Sequence, residues 1–350
     1  MAYKICFIGC GRRAVEHMPA VLADKRCVVA GLADTNREAA EKFRDTYKLQ
    51  APVFTDHKEM LARVKPDVIV TCLWTPLHLP VYRDCVEAGV KAVLSEKPMA
   101  PTWKECRDMA ALAEVSKCQL TFSHQRRFSS GNVQVRQWIE EGLFGEIKRM
   151  ELYSPKNLLD CGTHTFDQAL SFNHETPAKW VLGTVDATET VKWFDVSAET
   201  LATGVVIFAN GVRAYFQVGG PDSDMNSGVR VVGTKGFIET DWDGKFGQGV
   251  VYADPSWKPV QPADDKGWNM AAYVRDTLDC LESGRESVVS HRHALRASEI
   301  IFSLYESVRR NARVELPLTG VDDNPFITML NAGEFERRRQ GSQMAVTSSV

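Results

Sequence analysis

Through roughly residues 3–123 the chain repeats one rhythm: a short β-branched apolar run, a turn, then an amphipathic stretch of helix length. An apolar run without alternation belongs in a strand covered on both faces, and helix-length links join such strands in parallel. The rhythm predicts an α/β domain, a doubly wound parallel sheet. Strands are expected at residues 4–8, 28–33, 68–73, 92–95 and 120–122, with helices at 37–47, 57–64, 79–88 and 102–116. Thr102, with Glu105 three residues on, has the form of a capping box at the start of the last helix.

The first strand runs directly into Gly9-Cys10-Gly11-Arg12-Arg13-Ala14, a G-x-G-x-x-A turn opening a helix, and the second strand ends on Asp34. Gly9 permits the tight turn, Gly11 lets a pyrophosphate approach the backbone, and Ala14 stands where helix and strand pack closely. The helix start then presents unpaired N–H groups and partial positive charge to the phosphates, which draws Cys10, Arg12 and Arg13 into the expected cofactor set. Asp34 is suited to accept hydrogen bonds from the adenosine ribose and to repel a 2′-phosphate, favouring NAD over NADP. Arg37, just past Thr35, could instead swing toward a 2′-phosphate, so NADP stays open.

After residue 137 or so the strands lengthen, alternate apolar with polar, and are joined by turns. The run 205–218 with Ala209-Asn210-Gly211 at its centre reads as a hairpin, with Asn-Gly suited to a type I′ turn. A second hairpin is expected over 229–239 around Gly233-Thr234-Lys235-Gly236. This half reads as α+β with a large, mainly antiparallel sheet, closed by helices at 269–283 and 291–311. The resulting division is a dinucleotide-binding domain at 1–123, a substrate and oligomer domain at 124–330, and a C-terminal tail at 331–350 whose last ten or so residues are polar and frayed.

Length and charge narrow the function classes. The 350 residues suit about two domains. Forty-two basic against 45 acidic residues leave a net charge of -3, no basis for nucleic acid or an anionic membrane as partner. No apolar run reaches membrane-spanning length, and the first residues read as a strand, not a signal peptide. Nine Cys without a C-x-x-C pair fit free thiols in a reducing compartment, hence a cytoplasmic protein.

Open parallel sheets place ligands at the carboxyl ends of their strands. There the sequence sets Leu73-Trp74-Thr75-Pro76-Leu77-His78 and Ser95-Glu96-Lys97-Pro98. Beside an oxidised nicotinamide ring and away from water, Lys97 could bind or deprotonate a substrate hydroxyl; the plainer reading is a Glu96–Lys97 pair tying down the loop. Trp74 could stack on a ring or simply pack. Further on, Asp160-Cys161-Gly162-Thr163-His164 precedes an apolar helical run. With Asp160 and His164 at i and i+4 of a helix, the carboxylate can orient the imidazole or share its proton. Trp193, Trp242, Trp257 and Trp268 could offer a platform for a sugar face, although aromatic residues in a sheet domain are more often core. No metal site is expected, because His291, His293, His78 and His164 lack ligand spacing. Cys10 and Cys161 could confer oxidation sensitivity, or simply be small residues in tight places.

In order and spacing, the glycine loop, Thr75-Pro76-Leu77-His78, Glu96-Lys97-Pro98, Arg127-Phe128 and Asp160-Cys161-Gly162-Thr163-His164 resemble the Gfo/Idh/MocA oxidoreductases over about residues 4–325. The resemblance implies an N-terminal Rossmann domain and a C-terminal open-faced sheet that also mediates dimer or tetramer contacts. It implies NAD(P)-dependent oxidation of a sugar, inositol or related polyol hydroxyl. Lys97, Asp160 and His164 match the catalytic set of inositol-dehydrogenase-type members, Arg127 joins them in the substrate set, and the Lys97–Pro98 peptide is often cis. The short segment 153–159 departs from the pattern by lacking a glycine-rich loop before Asp160. Two other outcomes stay open: a glycosidase cycle using tightly held NAD, and a sugar-responsive sensor without catalysis.

Overall fold

The computed structural model describes residues 2–220, 228–262 and 269–347. They form two compact units, the first from residues 1–101, 105–130 and 264–295, the second from 102–104, 131–263 and 296–350.

In the first unit β1 (Tyr3–Ile8), α1 (Arg12–Ala23), β2 (Cys27–Ala33), α2 (Arg37–Thr46), β3 (Val53–Phe54), α3 (His57–Val64), β4 (Val68–Thr71), α4 (His78–Glu87), β5 (Ala92–Ser95), α5 (Trp103–Val115) and β6 (Gln119–Phe122) follow the expected alternation. The strands pair in parallel in the order β3-β2-β1-β4-β5-β6. The two-residue β3 is too short to show a periodic signal, which is why the sequence did not reveal it. Pro19 lies inside α1 and cannot donate to the carbonyl four residues back; the Tyr47 hydroxyl donates to that Val15 oxygen instead, at 3.1 Å.

One expectation is corrected here. The helix over 269–283, α8 (Met270–Ser283), closes the first unit, not the second. Met270, Tyr273, Val274 and Leu278 share a buried cluster with Phe7, Ala14, Met18 and Leu94. Burying each large side chain contributes roughly 1.5–3 kcal/mol, so the helix follows its apolar face. Periodicity shows that such a face exists, not which core receives it.

The second unit contains α6 (Ser130–Glu140), β7 (Ile147–Ser154), α7 (Thr163–Phe172), β8 (Ala178–Trp193), β9 (Val196–Phe208), β10 (Arg213–Gly219), β11 (Gly228–Gly233), β12 (Gly236–Asp241), β13 (Phe246–Val251), α9 (His291–Arg310), β14 (Val314–Glu315), α10 (Pro325–Asn331) and α11 (Glu334–Thr347), the division between units falling within α6 and α9. Its eight strands run β13-β12-β11-β7-β10-β9-β8-β14, antiparallel except for the parallel β7–β10 pair. Helix α7 is buried along its whole length, with Phe166 against Phe216 of β10, ring centroids 5.3 Å apart. The opposite register positions of β7 and β10 expose Tyr153 and Tyr215.

Both hairpins form, but the first turns differently. Gly211 N donates to Phe208 O and Gly211 alone takes a positive φ, +84°. That is a three-residue loop with a left-handed glycine, where a type I′ turn needs positive φ at Asn210 too. The tail is also corrected: residues 334–347 are helical, and Phe335 lies against Phe326 at 5.3 Å. Only its last three residues, and Trp268, fall outside the described residues.

Candidate active site

The first unit builds a cradle at the carboxyl ends of β1 and β2. Gly9 has φ +89°, and a Cβ there would stand 2.4 Å from the Cys72 carbonyl oxygen. A Cβ on Gly11 would meet nothing within 4 Å, so the space over this residue is open. Gly11 caps α1 without any side-chain hydrogen bond, and no acid stands in the first turn. Open space above uncapped helix N–H donors, at Arg12 and Arg13, fits a dinucleotide pyrophosphate.

Asp34 holds this loop from β2. Its Oδ2 accepts from Cys10 N and its Oδ1 from Asn36 N, both at 2.8 Å. The Cys10 N–H is thus committed to Asp34, and Cys10 serves the cradle by fixing the acid. Burial, reinforced by the Asp34 charge, pushes the Cys10 thiol up to about 12, which favours the reading of Cys10 as a small residue in a tight place. Thr35 is exposed beside Asp34, and Arg37 turns along its own helix to Glu41 at 3.6 Å.

At the end of β4, Trp74 is 61% exposed, so it does not pack into the core. Thr75 is buried, its Oγ1 without a hydrogen-bond partner among the described residues, and Pro76 follows it. The His78 ring bridges the Leu73 and Met99 carbonyl oxygens, each at 3.2 Å, tying this loop to the one after β5. Burial lowers its proton affinity, against the opposing pull of these carbonyl oxygens.

After β5, Glu96, Lys97 and Pro98 are all buried, and the Lys97–Pro98 peptide is cis. Glu96 Oε1 accepts from Arg13 Nη2 at 2.9 Å and lies 2.6 Å from His17 Nε2. Burial alone would raise this carboxyl; the His17 hydrogen bond and the Arg13 charge outweigh it and hold it well below the usual carboxylate range. Glu96 Oε2 is buried without a hydrogen-bond partner among the described residues. The Arg13 guanidinium, also paired with Glu16, therefore organises the Glu96 loop. Lys97 is 5% exposed, and Arg127, just after β6, is buried with His124, Gln125 and Arg126.

His17, fully buried and edge-on to Tyr273 at 6.4 Å, was missed by sequence reading. Its signal was present: it stands four residues after Arg13, on the same face of α1.

In the second unit Asp160 and His164 are buried at the start of α7. Asp160 falls in a π-type turn over Leu158–Gly162, which passes into α-helix at Thr163, so the pair is not carried by one regular helix as expected. Such turns occur frequently at functional sites. Trp242, following β12, sets its indole edge-on to the His164 ring, centroids 5.9 Å apart and planes at 88°. Trp257 packs against Trp138 and Phe144, and Trp193 against Phe194. Asn157 and Glu199, which hold the Asp160 turn, carry no motif in the sequence. Hydrogen bonds join Asp34 with the glycine loop and Arg13 with Glu96, while Lys97 belongs to one unit and Asp160 and His164 to the other.

The first unit's strand order, 3-2-1-4-5-6, with a glycine turn after its first strand, is that of dinucleotide-binding sheets, and the second unit is built on a large sheet. Residues 3–124 match the family model described as "Oxidoreductase family, NAD-binding Rossmann fold". An inositol 2-dehydrogenase/D-chiro-inositol 3-dehydrogenase of Shouchella clausii is 29% identical over 177 residues, 49% of either chain. The chain thus matches about half the length of this curated relative. Two solved structures share the fold over 91% of this chain and all of theirs: the WlbA dehydrogenase of Bordetella pertussis with NADH and UDP-GlcNAcA, 21% identical with TM-score 0.75, and a levoglucosan dehydrogenase with NADH and levoglucosan, 18% identical with TM-score 0.76.

Proposed function

We propose that this protein is an NAD-dependent dehydrogenase acting on a secondary hydroxyl of a sugar, inositol or related polyol. The observation that carries the reading is Lys97, a lysine 5% exposed at the carboxyl end of a strand in the NAD-binding unit. Shielded from water at the end of a parallel strand, where open sheets bind their ligands, its ammonium can donate to a reacting oxygen. The names of the inositol and levoglucosan dehydrogenases support the substrate class.

Bound NAD+ would supply a hydride acceptor at the nicotinamide ring. The chain's own residues do the rest. Gly9, Gly11 and the start of α1 hold the pyrophosphate, and Asp34 accepts from the adenosine ribose. Asp34 repels a 2′-phosphate and Arg37 is turned toward Glu41, which favours NAD over NADP. Lys97 donates to the reacting oxygen and stabilises its developing negative charge. His164 accepts the hydroxyl proton at a ring nitrogen, and the Asp160 carboxylate supports the resulting imidazolium. Arg127 contributes to the polar wall that orients the substrate.

Incubation with NAD+ or NADP+ and a panel of inositols, free sugars and glycosides tests the reading. Reduced-nicotinamide absorbance with one polyol class is the expected result. Sugar conversion without net reduction would replace it with the NAD-retaining glycosidase cycle, and binding without conversion with the sensor.

The exposed face carrying Tyr153 and Tyr215, with Arg149, Glu151 and Arg213 around them, supports assembly of a homodimer or homotetramer through the second-unit sheet. Light scattering of a Tyr153→Glu, Tyr215→Glu variant would give a monomer. The nine free cysteines support a reducing, cytoplasmic setting. No helix among the described residues is long and apolar enough to cross a membrane.

A further inference from the structure

The turn that carries Asp160 is held by groups that no motif of the sequence contains. Asn157 Oδ1 accepts from Asp160 N at 2.8 Å, and the Asn157 carbonyl accepts from both Cys161 N and Gly162 N, at 3.1 and 3.0 Å. Glu199, fully buried on β9, accepts from Leu158 N with Oε1 and from the Tyr305 hydroxyl of α9 with Oε2, both at 2.7 Å. Below them the backbone of Gly219 passes so close that a Cβ would lie 2.3 Å from Lys156 O and 2.2 Å from Thr200 O. The segment before Asp160 is therefore fixed from β9, β10 and its own cap.

Helix starts leave N–H groups without intrahelical acceptors, and an acid in the first turn ordinarily bends back to take them. Here Glu199 takes the Leu158 N–H and Asn157 the Asp160 N–H, so both of these donors at the helix start are satisfied by side chains other than Asp160. A fully buried acid is costly to place, and burial pushes the Glu199 carboxyl up against its two donated hydrogen bonds. An apolar residue would fill the same volume but leave Leu158 N–H unsatisfied.

We propose that Glu199 is a positioning residue for Asp160, acting with Asn157 as a clamp that sets where the carboxylate stands relative to His164. The proposal rests on the reading of Asp160 and His164 as the proton-transfer pair.

The test compares Glu199→Ala with Glu199→Gln in the full chain. The Gln carbonyl can still accept from Leu158 N and its amide can donate to the Tyr305 oxygen, whereas Ala offers neither. Glu199→Ala should lower kcat roughly 10- to 100-fold, the cost of a misplaced catalytic group, with NADH affinity little changed. Glu199→Gln should restore most of it. The His164 side-chain NMR resonance reports the clamp without any turnover: it should move in Glu199→Ala and return in Glu199→Gln. A folded Glu199→Ala protein with wild-type kcat and an unmoved His164 resonance overturns the proposal. If Glu199→Ala does not fold, Asn157→Ala, which removes only the acceptor for Asp160 N, should show the same loss and the same shift, and an unchanged resonance there overturns it. Absence of turnover with every polyol would refute the dehydrogenase reading, while the resonance would still decide the clamp.

Discussion

The two units fix their functional groups by different means. In the first, the groups expected to meet the cofactor stand where short-range geometry puts them: on the turn after a strand, at the start of a helix, or in the loop leaving the next strand. Gly9, Gly11 and Asp34 need only the strand–turn–helix alternation, and the Cys10–Asp34 hydrogen bond joins two neighbouring strand ends. In the second, Asp160 stands in a π-type turn, with His164 just after it in α7, and the turn is held by Glu199 from β9, itself bonded to Tyr305 from α9, partners 39 and 145 residues distant along the chain from Asp160. A site placed by backbone repetition tolerates surface change. A site placed by distant side chains should lose function when any one of them is removed.

The largest effect expected is at Lys97. Lys97→Met should cost on the order of 10²–10⁴-fold in turnover while NADH binding, followed by fluorescence, changes little. Unchanged turnover would break the assignment and leave Lys97 as a tie for the Glu96 loop. Gly9→Ala comes next, because it combines a Cβ 2.4 Å from Cys72 O with a left-handed φ. It should destabilise the chain by about 1–3 kcal/mol on thermal unfolding and weaken NAD binding together. A folded variant with full NAD affinity would show that the cradle is less tightly prescribed than the geometry requires.

Acid stability sharpens the comparison within the first unit. Glu96 is held below its ordinary value of 4.5, so its stabilising contribution is present above that pH and is lost as pH falls through the depressed value. Glu96→Gln should therefore flatten the fall in stability below about pH 4.5, measured by denaturant unfolding at successive pH values. An unchanged slope would show that Arg13 and His17 do not hold the charged form. The smallest effect should be Tyr47→Phe, which leaves the Val15 carbonyl to water at a cost of about 0.5–1.5 kcal/mol by the same unfolding measurement, with activity intact.

This contrast also explains what the sequence disclosed. Five of the six parallel strands, the glycine turn and the positions of Asp34 and Lys97 at strand ends were legible because each is signalled within a window of a few residues. Both hairpins of the second unit were legible for the same reason. The turn type at Asn210 was not, since the Asn-Gly pair is compatible with more than one loop length. The assignment of α8 to the first core was hidden because amphipathicity names a face and not its partner. Glu199 was hidden for a related reason: a buried acid in an alternating strand looks like any solvent-facing polar residue until the fold covers it.

The central claim is that one unit holds NAD while the other supplies the proton-transfer pair, and NADH affinity and turnover measured on His164→Ala and Asp34→Ala test it most directly. His164→Ala should keep near wild-type NADH affinity and lose most of its turnover, whereas Asp34→Ala should bind NADH more weakly and turn over once saturated. The account is contradicted if His164→Ala retains turnover, or if the His164→Ala loss follows weakened NADH binding.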